Sequence, residues 1–251
     1  MVHRRTAMPR KSAAKRLTAD ESGGPDAATQ SRPPATRVLA SDDLVNLALK
    51  ACLIARDAAF NLRDLLTNRS RMAFLAIKDC EKELDLIERQ IDERLPAAIT
   101  RVNEARARQL LTSLKSTTDL ERIGDLVMSV ALRVQSRNAK LPAADQRALV
   151  EMSVILRDML DLIYQGFVNL DLDCARKVLQ RDKDVDKLCH TLFQKHLAEN
   201  VPQGDTSGFE ILLMAQALER AGDHTTNLAE DLYSLIEGRS LRHMPKKKAA
   251  Q

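Results

Sequence analysis

Glu121 and Asp125 stand four residues apart in the hexapeptide LERIGD (Leu120–Asp125), and Glu219 and Asp223 stand four apart in LERAGD (Leu218–Asp223). Both hexapeptides lie in proline-free stretches with apolar residues at helical spacing, so each is expected on a helix. On a helix, positions i and i+4 share a face with Cβ atoms about 5–6 Å apart. Carboxylates placed like this repel each other unless a cation lies between them. Glu81 with Asp85, and Asp182 with Asp186, repeat the spacing. If the helices carrying these pairs pack at about 8–10 Å, each half of the chain gathers four hard oxygen donors. Such donors suit Mg²⁺, Ca²⁺, Mn²⁺ or iron, whereas zinc sites draw on Cys and His patterns that this chain lacks. Asn227, one turn beyond Asp223, adds a carbonyl oxygen to the second set.

Ordinary ion pairs offer a rival account of the same acids. Arg122 lies three residues before Asp125, Arg220 three before Asp223, and Arg89 four after Asp85. Exposed pairs of this kind contribute about 0–1 kcal/mol each. Repetition of both acid pairs in both halves weighs against coincidence, and the two accounts stay open at this point. Gly124 and Gly222 recur at matched places inside the helices, where glycine costs about 0.5–1 kcal/mol relative to alanine. They predict close approach of a neighbour. The two halves are also unequal. Asn227, Asp231 and His190 stand where the first half has Ser129, Arg133 and Arg89, so the second set is expected to bind a cation more tightly.

No catalytic constellation accompanies the acids. A di-iron oxidase on a helical bundle uses Glu-x-x-His, and no motif glutamate has a histidine three residues later. A nucleophile–base pair and a glycine-rich phosphate loop are also missing. His224, next to Asp223, reads as a packing or hydrogen-bonding histidine. The chain is therefore expected to be a non-enzyme.

The elements that must position these residues are all helices. Ala, Leu, Arg, Glu and Asp dominate the 251 residues, Trp is absent, and Gly and Pro number eight each. Ser41 offers a cap for a first helix ending near Thr67–Asn68. A second runs from Arg71 to about Arg94, with a break or bend at Leu95–Pro96. A third reaches about Arg137. After a linker and Pro142, a fourth covers about 143–169 and a fifth 172–199, the latter behind an Asp171 cap. Ser207 with Glu210 forms a capping box for a sixth helix stopping at Gly238. Arg56-Asp57 falls 101 positions before Arg157-Asp158, as Glu81–Asp85 does before Asp182–Asp186. At the hexapeptide the offset is 98. The expected architecture is all-α: two tandem three-helix bundles, 41–140 and 141–238, flanked by disordered basic tails at 1–40 and 239–251. The four cysteines are scattered and read as reduced thiols, and no run of about 20 apolar residues spans a membrane.

The hexapeptides, the run LERAGDHTTNLAEDLYSLIEG at Leu218–Gly238 and the acid-x-x-x-Asp pairs resemble the PhoU family over about residues 41–238. The resemblance implies two three-helix bundles with multinuclear metal clusters on their acidic faces, frequent homodimers and a cytoplasmic location. It further implies an adaptor between the phosphate-specific ABC transporter, through its ATPase, and a sensor histidine kinase, one that restrains the phosphate-starvation response. A PhoU-type accessory subunit of a sodium- or proton-coupled phosphate carrier is the alternative. Leu126 and Ser129, where the second half has His224 and Asn227, depart from the repeat in the first half.

The net charge of +4 conceals an uneven distribution. Each tail carries +5, leaving −6 on residues 41–238. Lysines and arginines without interleaved aromatics, beside an acidic body, do not describe a nucleic-acid surface. Charged tails are ordinarily solvated; the rival role is weak peripheral contact with anionic lipid. Liposome flotation of the full chain and of residues 41–238, at low and high salt, separates these roles. Equal recovery is expected. Flotation of the full chain alone, at low salt alone, would assign the tails to the membrane.

Overall fold

The computed structural model describes residues 43–137, 139–198 and 207–238, with only the backbone of Ser207. Ser41, both tails, the Pro202–Gly204 break and the Ser207 side chain lie outside the described residues. Within them are six helices and no strand: α1 Asp43–Asn68, α2 Arg71–Ile99, α3 Glu104–Ser136, α4 Ala143–Asn169, α5 Leu172–Ala198 and α6 Ser207–Glu237.

The helix ends follow from local chemistry, and they follow it twice. After α1, Arg69 adopts φ +52° and its N–H donates to the Leu65 carbonyl at 2.9 Å. Ser70 then caps α2 by accepting from the Ala73 N–H at 3.2 Å. After α4, Leu170 also adopts φ +52°, and the next residue caps α5, with Asp171 Oδ1 accepting from the Asp173 N–H at 2.8 Å. The two junctions are 101 positions apart, the offset of the repeat. Asn103 caps α3 by accepting from the Arg106 N–H at 2.9 Å. Gly238, at φ +75°, closes α6 with its N–H on the Ser234 carbonyl at 3.0 Å, in the left-handed conformation that favours glycine.

One expected boundary is corrected. Instead of ending near Arg94, α2 continues through Pro96 to Ile99. Proline removes one N–H from the ladder, and tertiary packing offsets that loss: Leu95 is buried, and Ala98 and Ile99 pack on the core.

Each half is a three-helix unit, and the two units share one core. α1 packs on α2, α3 and α4, and α6 packs on α3, α4 and α5. α1, α3, α6 and α4 thus form a central ring, with α2 outside α1 and α3 and α5 outside α4 and α6. Leu62, Leu65, Leu120, Ile123, Leu149 and Leu156 are fully buried in this core. Burying such side chains stabilises the fold by about 1.5–3 kcal/mol each. Both copies of the Arg-Asp repeat form ion pairs between neighbours, Arg56 with Asp57 at 2.9 Å and Arg157 with Asp158 at 2.5 Å. Arg56 also reaches Asp161 of the other half at 3.4 Å. The acid pairs therefore fall on α2 with α3, and on α5 with α6.

Candidate metal-binding faces

Gly124 and Gly222 set how closely each outer helix approaches its neighbour. A Cβ at Gly124 would lie 2.6 Å from Leu84 Cδ1, and one at Gly222 would lie 2.8 Å from Asp182 Oδ1. Close packing at both places is as the sequence predicts, but different atoms occupy the space. On α3 the glycine admits a leucine; on α6 it admits a candidate ligand.

The four acids of each half influence one another across the helix pair. Burial, then Asp85 and Asp125, raises the Glu81 carboxyl above its usual range. Burial, with Asp125, Glu88 and Asp85, pushes Glu121 up to about 7 against a smaller opposing effect of Arg122. In the second half burial pushes Asp182 up to about 6, helped by Asp186, Asp223 and Glu219. Burial and acidic neighbours also raise Glu219 and Asp223. Glu81, Asp85, Glu121 and Asp125 form one face and Asp182, Asp186, Glu219 and Asp223 the other. Glu121 Oε2 and Asp182 Oδ1 are buried oxygens that make no hydrogen bond. Hard, partly desolvated oxygens in surplus fit a Mg²⁺-, Ca²⁺-, Mn²⁺- or iron-type ion. Among the described residues no three His, Cys, Asp or Glu side chains converge tightly enough to hold an ion as they stand. Each face is an open array of mutually repelling carboxylates.

The arginines treat the two faces differently. Arg122 Nε lies 3.4 Å from Glu121 Oε2 and its Nη1 3.5 Å from Asp125 Oδ2, and Arg89 Nη2 lies 3.5 Å from Asp85 Oδ2. These contacts are long and their arginines exposed, so they offset the repulsion only weakly. Among the described residues no ion pair reaches Asp182, Asp186, Glu219 or Asp223; Arg220, which the ion-pair account sets beside Asp223, is exposed and does not pair with it. An open cleft of about 550 Å³, lined by Asp186, Glu219, Asp223, Cys189, His190 and Gln194, adjoins this second face.

Asn227 points its amide elsewhere: Nδ2 donates to Asp119 Oδ1 of α3 at 3.2 Å. His224 Nδ1 meets the same oxygen at 2.7 Å. The carbonyl oxygen of Asn227 is thus the atom left for a ligand role. His224 makes a hydrogen bond, and Asp119 is a residue that sequence reasoning missed. Its signal was present: Asp119 aligns with Ala217 in the other repeat, and it contacts two residues whose own partners, Leu126 and Ser129, also differ. The positions where the repeats diverge meet at the α3–α6 seam. Asp231, expected to extend the row of acids along α6, is 4% exposed and buried. The four cysteines are free, and burial pushes Cys52 up to about 12 and Cys80 and Cys189 to about 11, so they stay as thiols.

The model of the PhoU domain matches residues 49–134 and 149–232, one match in each half. A phosphate-specific transport system accessory protein PhoU homolog of Burkholderia sp is 28% identical, over 75% of this chain and 83% of that protein. A homolog of the same description from Xylella fastidiosa is 30% identical, over 72% of this chain and 86% of its own. Among solved structures, PhoU from Pseudomonas aeruginosa superposes with a TM-score of 0.70 at 23% identity, covering 78% of this chain and 97% of that one. The phosphate transport system regulatory protein PhoU from Streptococcus pneumoniae gives 0.72 at 20% identity, covering 79% and 96%. These two share the fold.

The raised carboxyls make stability depend on pH with a definite sign. In metal-free protein Glu121 keeps its proton to about 7, whereas in the unfolded chain it loses it near the ordinary glutamate value of about 4.3. Between those values the folded state binds more protons, so stability is full at the acid end and falls as pH rises to about 7. In chelator-treated protein, Glu121→Gln should raise the melting temperature at pH 8 and flatten the loss between pH 5 and 8. A variant melting lower than the parent at pH 8 would contradict the buried-acid account.

Proposed function

We propose, from the premise that this chain belongs to the PhoU family, that it is a metal-binding cytoplasmic adaptor that negatively regulates phosphate uptake and phosphate-starvation signalling. The observation that carries this reading is the duplicated acid quartet, set on matched helix pairs of a duplicated fold. The names of the relatives, accessory proteins of the phosphate-specific transport system, support the phosphate-transport role. No described helix is long and apolar enough to cross a membrane, which suits a protein that docks on a transporter.

Glu81, Asp85, Glu121 and Asp125 hold metal on the α2–α3 face, and Asp182, Asp186, Glu219, Asp223 and the Asn227 carbonyl hold it on the α5–α6 face. A bound di- or trivalent ion supplies positive charge that keeps the carboxylates ionised and close together. The residues themselves do the rest. Gly222 lets the Asp182 carboxylate rest against α6, and Asp119 holds His224 and Asn227 across the seam. The faces are rigid helix surfaces, so a filled face presents one fixed charge pattern to a partner. The partners are the ATPase of the phosphate-specific ABC transporter and a sensor histidine kinase, with the adaptor acting as a homodimer and performing no catalysis.

Deleting the gene should leave a phosphate-starvation reporter switched on in phosphate-rich medium, and the intact gene should restore repression. A reporter that stays repressed in the deletion strain would contradict the adaptor reading and favour an accessory subunit of a phosphate carrier.

A further inference from the structure

A cavity of about 240 Å³, basic where the helix faces are acidic, sits where the first half passes into the second. Arg69, Arg137 and Lys140 line it together with Gln146, and among the described residues no carboxylate does. The described body elsewhere is acidic, so three cations on one small cavity stand out as a built feature.

Two of the cations are held in place. Arg69, in its left-handed turn after α1, donates Nη2 to the Val134 carbonyl at 3.2 Å and to the Arg137 carbonyl. Its partners are neutral, so its charge remains. The Arg137 side chain is 7% exposed, and its Nη1 donates to Glu210 Oε2 at 2.6 Å. Lys140 is exposed and makes no ion pair among the described residues. With Glu210 counted against Arg137, the described residues leave the charges of Arg69 and Lys140 facing the cavity.

The carbonyls that would repel an anion already have donors. Gln146 Nε2 donates to the Leu66 carbonyl at 2.7 Å and the Thr67 carbonyl at 3.3 Å, covering the end of α1. Arg69 covers the end of α3 in the same way. α4 begins here without a side-chain cap, and the positive end of a helix favours an anion. The acid in that first turn, Asp145, is fully buried and bound to Lys195 at 2.6 Å, with His196 at 3.3 Å.

We propose that this cavity between the repeats binds a small tetrahedral oxyanion, inorganic phosphate, held by Lys140 at the opening and by Arg69 and Arg137 within. Its volume lies below the roughly 300–1,000 Å³ of pockets that take drug-sized ligands, which favours a small anion such as hydrated phosphate over a nucleotide. Phosphate there joins α1, α3 and the connection to α4, so its binding stiffens the joint between the halves. The site rests on the lining charges; the choice of phosphate over sulfate rests on the regulatory reading above.

Chelator-treated full-length protein, which has no metal to carry phosphate to the acid faces, is titrated calorimetrically at low salt with sodium phosphate and, separately, sodium sulfate. Saturable phosphate binding is expected. Lys140→Ala should weaken it about tenfold, the loss of one charge-assisted hydrogen bond. Lys140→Arg should restore most of it, and Lys115→Ala, at an exposed lysine elsewhere on α3, should leave it unchanged. Melting curves check that the variants fold. Absence of phosphate binding at millimolar concentration, Lys140→Ala binding as tightly as the parent, or saturation by sulfate alone would overturn the proposal. The titration uses the protein alone, so its failure leaves the reporter experiment standing, and the reverse holds too.

Discussion

Repulsion between carboxylates held on packed helices is the constraint from which the rest of this structure is best understood. A helix fixes Glu and Asp at i and i+4 on one face, and a second helix packed against a glycine brings another pair alongside. Neither helix can relieve the crowding by rotating, because neighbouring positions on it are buried in the core: Leu84 and Ile123 in the first half, Val185 and Leu218 in the second. The protein therefore holds these acids together at a cost in stability, and burial pushes Glu121 and Asp182 well above the ordinary carboxylate range. Groups kept in such a state are characteristic of functional sites.

The duplication places two such faces on one body, and the shared core makes them parts of one unit. α1 against α4 and α3 against α6 bury the seam that each three-helix unit would otherwise expose. Across that seam Asp119 of the first half accepts from Asn227 and bonds His224 of the second, four residues and one residue from the acid Asp223. The asymmetry has a physical content too: arginines partly offset the first face and leave the second to its own repulsion and to an open cleft.

Much of this was legible in the sequence because it is local. The acid spacing, the helical period, the Asp171 cap and the C-terminal Gly238 depend on neighbours within one turn. The repeat carried the long-range information, since matched offsets of 101 and 98 require matched tertiary settings. What escaped depends on packing between distant segments. Pro96 reads as a stop, but the core contacts of Leu95, Ala98 and Ile99 carry α2 past it. Arg220 and Arg122 occupy matched positions, yet only Arg122 turns to its acids. Asp119 looks like one more surface acid until the seam brings His224 to it. The departures from the repeat, Asp119, Leu126 and Ser129, were the readable trace of that seam, because the repeats differ where they meet.

The proposed role of the acid faces is as cation sites, the second stronger than the first. Metal content after dialysis against a mild chelator tests it most directly, on the parent and on two double variants: Glu121→Ala with Asp125→Ala, and Glu219→Ala with Asp223→Ala. The account predicts that the parent retains metal and that the second variant loses more of it than the first. A parent that never retains metal would return the quartets to solvated acids and surface ion pairs, and a greater loss from the Glu121 and Asp125 variant would contradict the ranking of the two faces.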